Sequence, residues 1–316
     1  MTGAFPFVVR RLIAAIPVLI VISFAAFVIG RYAPGDPVTV RAGPRASDEQ
    51  IERVKQSLGL NDPIPVQYAR YMGNLLRGDL GESYQRPGFT VWEIMRPKMW
   101  VSFQLNLMPF FLVYLVGIPV GIYMALRRGH WQDPTTTVSL VVLAAIPTFV
   151  MVPVLQWLFA LKLGWLPVGG WDGIFSSRII LPTIVLTVPG FAGIARLTRI
   201  TMLQVLNEEF IRTARAKGLT EWTVITRHTF RNALLPLTNG VVFGLLTLWT
   251  GTLFVELLFG IPGIGREAFA AIGSRDYDMI MAFVLISAAG FILANIILDI
   301  VYTIIDPRIR ATGGAL

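Results

Sequence analysis

Apolar residues run along this chain in stretches too long and too continuous to be single faces of soluble helices. The first, Leu12 to Gly30, holds about 19 residues, enough for one helix to cross a hydrocarbon core. Similar stretches predict further spans at about 99–126, 135–161, 179–197, 237–258 and 280–304. The pattern predicts an all-α, polytopic membrane protein with six transmembrane helices. A signal peptide has a core of only about 7 to 15 residues and a small-x-small cleavage site, so the first span is expected to be retained and kinked at Pro17. Pro147 and Pro153 interrupt the third predicted span. The fourth carries Pro182, Pro189, Gly190 and Gly193, and the fifth Gly240, Gly244 and Gly251. Breakers are tolerated where neighbouring helices satisfy the freed backbone groups, and small residues admit close approach, so the fourth helix is expected inside the bundle.

Between these stretches lie polar segments. Residues 31–98 form the longest, expected on the outer side of the membrane. There Ser47 is placed to cap a helix with apolar Ile51, Val54, Leu58 and Leu60, and a second helical segment, VQYARYMGNLLRG, follows Pro65. Arg127, Arg128, His130 and Asp133 make a tight inner loop. Gly164 to Arg178, with Trp165 and Trp171, reads as an outer interfacial loop. The polar island within 204–236 predicts two short helices. Asn207 caps the first, with Glu208 and Glu209 in its positive first turn, Lys217 in its last turn and Gly218 ending it. Thr220 caps the second, which places Trp222, Ile225 and Thr229 on one side while Arg227 and Arg231 point elsewhere. The chain divides into residues 1–30 with the first span, the outer region 31–98, a five-helix core at 99–305 that includes the loop 204–236, and an inner tail at 306–316.

Composition agrees with a multi-spanning protein: 54% of residues are hydrophobic and 15% charged. With no cysteine, disulfides and thiolate chemistry are excluded, and His130 and His228 are far apart in sequence. The net charge of +8 is explained by orientation rather than by nucleic acid. With both ends inside, 13 of the 27 basic residues fall in inner segments, seven of them between Arg196 and Arg231. The ten in the long outer segment do not weigh against this, because loops longer than about 60 residues translocate largely regardless of charge.

Polar groups inside spans face protein or water rather than lipid, which singles out Gln104, Asn106, Glu256, Asn295 and Asp299 as candidates for a substrate pathway. Packing roles compete, and for Glu256 a cap or an interhelical bond. These residues do not cluster by spacing as an enzyme's nucleophiles or metal ligands would, and there is no HExxH. None of the four lysines stands in a GxxxxGK context, so the chain has no nucleotide-binding loop of its own. Energy for transport must come from a partner or from an ion gradient. A gradient-driven transporter is expected to show internal repeats, and none is evident.

The run EEFIRTARAKGL followed by RHTFRNALLP resembles the cytoplasmic coupling loop, the EAA loop, of ABC importer permeases, most closely the peptide-importer branch. Gly218 and Leu235-Pro236 match that pattern, with the acidic and small positions displaced to Glu209, Ala214 and Ala216. PGDP at 34–37, LGLNDPIPVQY at 58–68 and GDLGES at 78–83 resemble the external region of the first permease of dipeptide and oligopeptide importers. ELLFGIPGIGREAF at 256–269 and the closing LDIVYTIIDPRIR resemble the same family. The resemblance implies a type I importer permease of a bacterial or archaeal cytoplasmic membrane, with both termini inside. It implies a second permease subunit, two ATP-binding subunits or domains that hold ATP and Mg, and an extracytoplasmic solute-binding protein as partners. It implies no cofactor, metal or catalytic residue in this chain. Glu208, Glu209, Thr213, Ala214, Ala216, Lys217 and Gly218 would couple ATPase movement to the spans. The substrate class implied is short peptides, with nickel chelates, glutathione or oligosaccharides as alternatives in the same branch. The outer region would dock the binding protein or cover the path.

Overall fold

Helix boundaries follow capping groups and breakers more closely than they follow hydropathy. The computed structural model describes residues 4–32, 47–57 and 59–305; the PGDP run at 34–37, Leu58 and the tail at 306–316 with Arg308 and Arg310 lie outside them. In chain order the helices are α1 (Ala4–Tyr32), α2 (Asp48–Ser57), α3 (Ile64–Leu76), α4 (Val91–Leu126), α5 (Gln132–Ala145), α6 (Thr148–Leu155), α7 (Ile180–Leu206), α8 (Glu209–Ala216), α9 (Glu221–Thr223), α10 (Arg231–Thr250), α11 (Leu253–Leu258), α12 (Ile264–Ser274) and α13 (Tyr277–Ile305). π-Helical turns extend α6 over Gln156–Lys162 and join α9 to α10 over Val224–Phe230. Among the described residues, five helical segments are long and apolar enough to cross a membrane, and α5 with α6, extended by the π-turn, is apolar and long enough only as a pair bent by 91°, a broken span or a re-entrant loop.

The second, third and fourth predicted spans change shape, the second and third for a local reason and the fourth through a partner on another helix. The second starts at Val91, earlier than 99, because Thr90 and Glu93 form a capping box: Glu93 N donates to Thr90 Oγ1 at 3.3 Å and Thr90 N to Glu93 Oε2 at 2.9 Å. The third is broken rather than merely interrupted. Ile146, which precedes Pro147, is held out of the helical region at φ −72°, ψ 115°. The fourth runs on past Leu197 to Leu206, because Asp133 on α5 receives Arg199 bidentately, Nε to Oδ1 at 2.5 Å and Nη2 to Oδ2 at 2.6 Å. Asp133 is therefore not a loop residue but a buried one, 5% exposed. Ser47 caps α2 as expected, with Gln50 N donating to its hydroxyl at 3.3 Å.

Helices α4 and α7 make the most extensive packed pair. Glycine makes that approach possible. A Cβ at Gly117 would lie 2.9 Å from Ile194 Cβ, and one at Gly121 2.5 Å from Thr198 Cβ. Leu105, Val152, Leu181, Val185, Phe259 and Ile261 fill the core at the end opposite α8. As expected, α7 lies inside the bundle, with the largest buried share of any span, 39%. By contrast α1 packs on α13, where Phe27 meets Met281.

Candidate coupling surface and translocation path

The loop between α7 and α10 presents one short amphipathic helix. Ile211 and Ala214 of α8 are buried and pack on Val224 and half-buried Val205, which leaves Glu208, Glu209, Phe210, Arg212, Thr213, Arg215, Ala216 and Lys217 exposed. Asn207 does not cap this helix. It closes α7 instead, with its side-chain amide donating to Leu203 O at 2.9 Å, and Glu208 takes the N-cap position without a side-chain cap bond. At the other end Gly218, φ 76°, completes a Schellman turn: Gly218 N bonds Arg215 O at 2.9 Å and Leu219 N bonds Ala214 O at 3.4 Å. Thr213 Oγ1 turns back to Glu209 O at 3.1 Å, and Lys217 is the C-cap residue. Arg215 reaches across the turn to Glu221, Nε to Oε1 at 2.7 Å.

Thr220 caps the following helix, with Thr223 N donating to its hydroxyl at 3.4 Å. That helix is not short. Glu221 to Thr250 is continuous through the π-turn, so the loop's second helix and the fifth span are one rod. Trp222, expected to share a face with Thr229, is 76% exposed at the rod's tip while Thr229 is buried, because the inward face is set by Val224 against α8. Phe210 and Leu219 of the same loop are exposed as well, at 44% and 39%.

At the opposite end the structure gathers segments far apart in sequence. Glu256 on α11 is fully buried, and its carboxylate accepts Ser102 Oγ at 2.7 Å, Thr252 N at 3.1 Å and Arg266 N at 2.8 Å. Ser102 in turn accepts Ile264 N at 2.8 Å. A Cβ at Gly251 or Gly263 would stand 2.6 Å from Glu256 Oε1, so only glycine lets the backbone close around the carboxylate. Of the roles weighed for Glu256, the structure displays both the interhelical bond, to Ser102, and the cap, on Thr252 before α11 and on the first turn of α12 at Arg266. Beyond it Glu267 pairs with Arg86 at 2.8 Å and Lys98 at 2.7 Å. Buried Asp276 accepts Ser83 Oγ and Tyr84 N, and Gln85 Nε2 donates to Ser274 O at 2.6 Å. GDLGES is thereby strapped onto α12 and the start of α13. No pattern in the sequence singles out Ser102, Glu267 or Asp276, since no local spacing links residues more than 150 positions apart.

Of the other polar candidates, Asn106 is 6% exposed and, with Tyr114, Gly190, Gly244, Thr247 and Thr252, lines a cavity of about 240 Å³ between α4, α7 and α10. Its amide donates to Ser102 O at 2.8 Å. Thr252 Oγ1 is buried there without a hydrogen-bond partner. Gln104 is half-buried on α4 away from this cavity. Asn295 donates to Phe291 O of its own helix at 2.8 Å. Asp299 lies on α13 with its side chain outside the described residues. The four candidates whose side chains are described thus do not form one site. Among the described residues no group of three or more His, Asp or Glu could hold a metal ion.

Comparison with known proteins places this arrangement. A family model described as the binding-protein-dependent transport system inner membrane component matches residues 117–311, and the corresponding N-terminal model matches residues 4–106. The oligopeptide transport system permease protein AppB of Bacillus subtilis is 38% identical, with 96% of this chain and 99% of that protein covered. The oligopeptide transport system permease protein OppB of Salmonella typhimurium is 37% identical over the same shares. A probable peptide ABC transporter permease, y4tP, of Sinorhizobium fredii is 34% identical, again over 96% and 99%. In fold, the chain is similar to the MetNI methionine ABC transporter in an inward-facing conformation, with TM-score 0.55 and 19% identity, covering 67% of this chain and 96% of the other. The chain belongs to the family of inner membrane components of binding-protein-dependent transport systems.

Proposed function

We propose that this protein is one of two permease subunits of an ABC importer that carries short peptides across the cytoplasmic membrane of a bacterium or archaeon. The observation that carries the substrate class is similarity over 96% of the chain to relatives named as oligopeptide permeases. The geometry supports the mechanism. α8, with its own exposed Phe210 and with exposed Leu219 and Trp222 following it in the chain, is the surface gripped by an ATP-binding subunit, and the rod from Glu221 to Thr250 carries the resulting movement into the bundle. A lever of this kind must be stiff, and the Schellman turn at Gly218 and the Thr220 cap supply stiffness. Closure of the ATPase pair drives the switch only to the extent that it grips the two states of the permease differently. Glu208, Glu209, Thr213, Ala216 and Lys217 face that partner, while Ala214 fixes α8 to the bundle.

Loop 204–236 and both termini lie in the cytoplasm. The knot around Glu256 and Asp276 faces outward, where it meets a solute-binding protein. ATP and Mg are held by the partner subunits. The test is to purify the tagged chain from its native membrane in mild detergent, identify what accompanies it, and reconstitute the assembly for uptake of labelled tri- to pentapeptides. A second permease, one or two ATPases and ATP-dependent peptide uptake are expected. Recovery of the chain alone, active in gradient-driven uptake, would overturn the proposal.

A further inference from the structure

The half of α7 that approaches the coupling loop leaves one stripe uncovered. Between residues 191 and 206 the exposed positions are Gly193, Arg196, Ile200 and Gln204, spaced three, four and four apart, which on an α-helix is a single face. Half-buried Leu186 and Gly190 continue that face into the cavity shared with Asn106, Thr247 and Thr252. The space beside Gly193 is open: a Cβ there would meet no atom within 4 Å. The stripe therefore runs from a polar-lined cavity toward the coupling end, along the span that is otherwise the most buried.

Arg196 stands in the middle of this stripe, about ten residues or roughly 15 Å before the end of α7. Among the described residues it makes no ion pair and no hydrogen bond. Arg199, one turn on, faces the core and is held bidentately by Asp133. The chain thus neutralises one arginine of the pair and leaves the other bare on an open face. A guanidinium does not lose its proton, so Arg196 needs water or an anion beside it.

Resting on the peptide-importer reading above, we propose that the α7 stripe lines the translocation path and that Arg196 is a way-station for the C-terminal carboxylate of the passing peptide. The flat, forked guanidinium matches a carboxylate through two parallel N–H···O bonds, as the Arg199–Asp133 pair displays one turn away. Gly193 leaves the peptide chain room to pass alongside, and Asn106, Thr247 and Thr252 offer neutral polar groups to its amides further along.

The test uses the complete assembly in proteoliposomes with saturating binding protein, and compares uptake of tri-alanine with that of tri-alanine amide. Because the binding protein is the same in every arm, its own preference cancels when the acid-to-amide ratio of a variant is divided by that of the unaltered assembly. Arg196→Gln is expected to lower this ratio about tenfold, the effect of losing one charge-assisted interaction. Arg196→Lys keeps the charge but not the fork, so it is expected to restore only part of the ratio, with the partner permease still co-purifying. An unchanged ratio in Arg196→Gln, or an equal loss of both peptides, overturns the inference while the importer reading stands. Loss of the partner permease from the Arg196→Gln assembly also overturns it and assigns Arg196 to an ion pair between subunits. Absence of ATP-dependent uptake of either peptide by the unaltered assembly removes the importer reading itself.

Discussion

The two ends of the bundle handle charge in opposite ways. Within the loop at 207–221, Glu208, Glu209, Arg212, Arg215 and Lys217 are exposed and the ion pair, Arg215 to Glu221, links residues six apart, while buried Asp133 is paired with Arg199 behind the loop, between α5 and α7. At the other end Glu256, Glu267 and Asp276 are buried, and each is satisfied from another part of the chain. A surface proposed to grip and release a partner gains from side chains left in water, held by local caps. An end that must keep several segments together gains from carboxylates whose partners come from as far as 193 residues away. The two ends should therefore respond differently to mutation, one in function and the other in folding.

The largest effect is expected at the buried end. Glu256→Ala leaves Ser102 Oγ and the amides of Thr252 and Arg266 without their acceptor, at a cost of at least ~3 kcal/mol. Thermal unfolding of the purified protein in detergent should show it as a large drop in Tm with poor folded yield, and a near-unchanged Tm would break the comparison. Asp276→Ala should cost less, about 2 kcal/mol, by freeing Ser83 and Tyr84. Limited proteolysis is the sharper readout, since cleavage should appear within residues 77–90 and spare the spans.

At the coupling end the expected loss is functional. Gly218→Pro cannot adopt φ 76° and removes the amide that bonds Arg215 O, so peptide uptake should fall more than tenfold while membrane insertion and partner ATPase activity persist. Reversing both Glu208 and Glu209 to lysine should uncouple in the same way without lowering Tm, because neither side chain is buried. Wild-type uptake in either variant would sink the coupling role. The smallest effect is expected for Arg215→Ala, whose exposed pair with Glu221 contributes less than ~1 kcal/mol. A double-mutant cycle with Glu221→Ala would measure it.

Features governed by neighbours along the chain are legible in the sequence. The Schellman glycine at 218 and the Ser47 and Thr220 caps depend on spacings of a few residues and stand where the pattern puts them, and the six apolar runs fall in helices although the ends of several move. Features that depend on distant partners are not legible in the same way. Arg199 reads as the end of a span because its charge counts against membrane burial, yet Asp133 cancels that charge from another helix. Asn207 reads as a cap for α8, but a preceding helix that extends to Leu206 claims its side chain. The helical spacing assigns Trp222 to an inner face, which docking of α8 on Val224 moves elsewhere. Glu256 is visible as an intramembrane carboxylate, but its three donors arrive from α4 and from the backbone on either side of it.

The sequence by itself determined the all-helical membrane fold, the number of apolar runs and the place of the polar loop with its capped helices, because crossing a bilayer and capping a helix are settled by composition and by contacts within a few residues. Only the tertiary structure decided that the third apolar run bends by 91°, that the second helix of the polar loop and the fifth span are one rod, and that Arg199 is neutralised while Arg196 is left bare. Those outcomes turn on which helices meet and at what rotation, and a burial or an ion pair between helices exists only once both surfaces are in place.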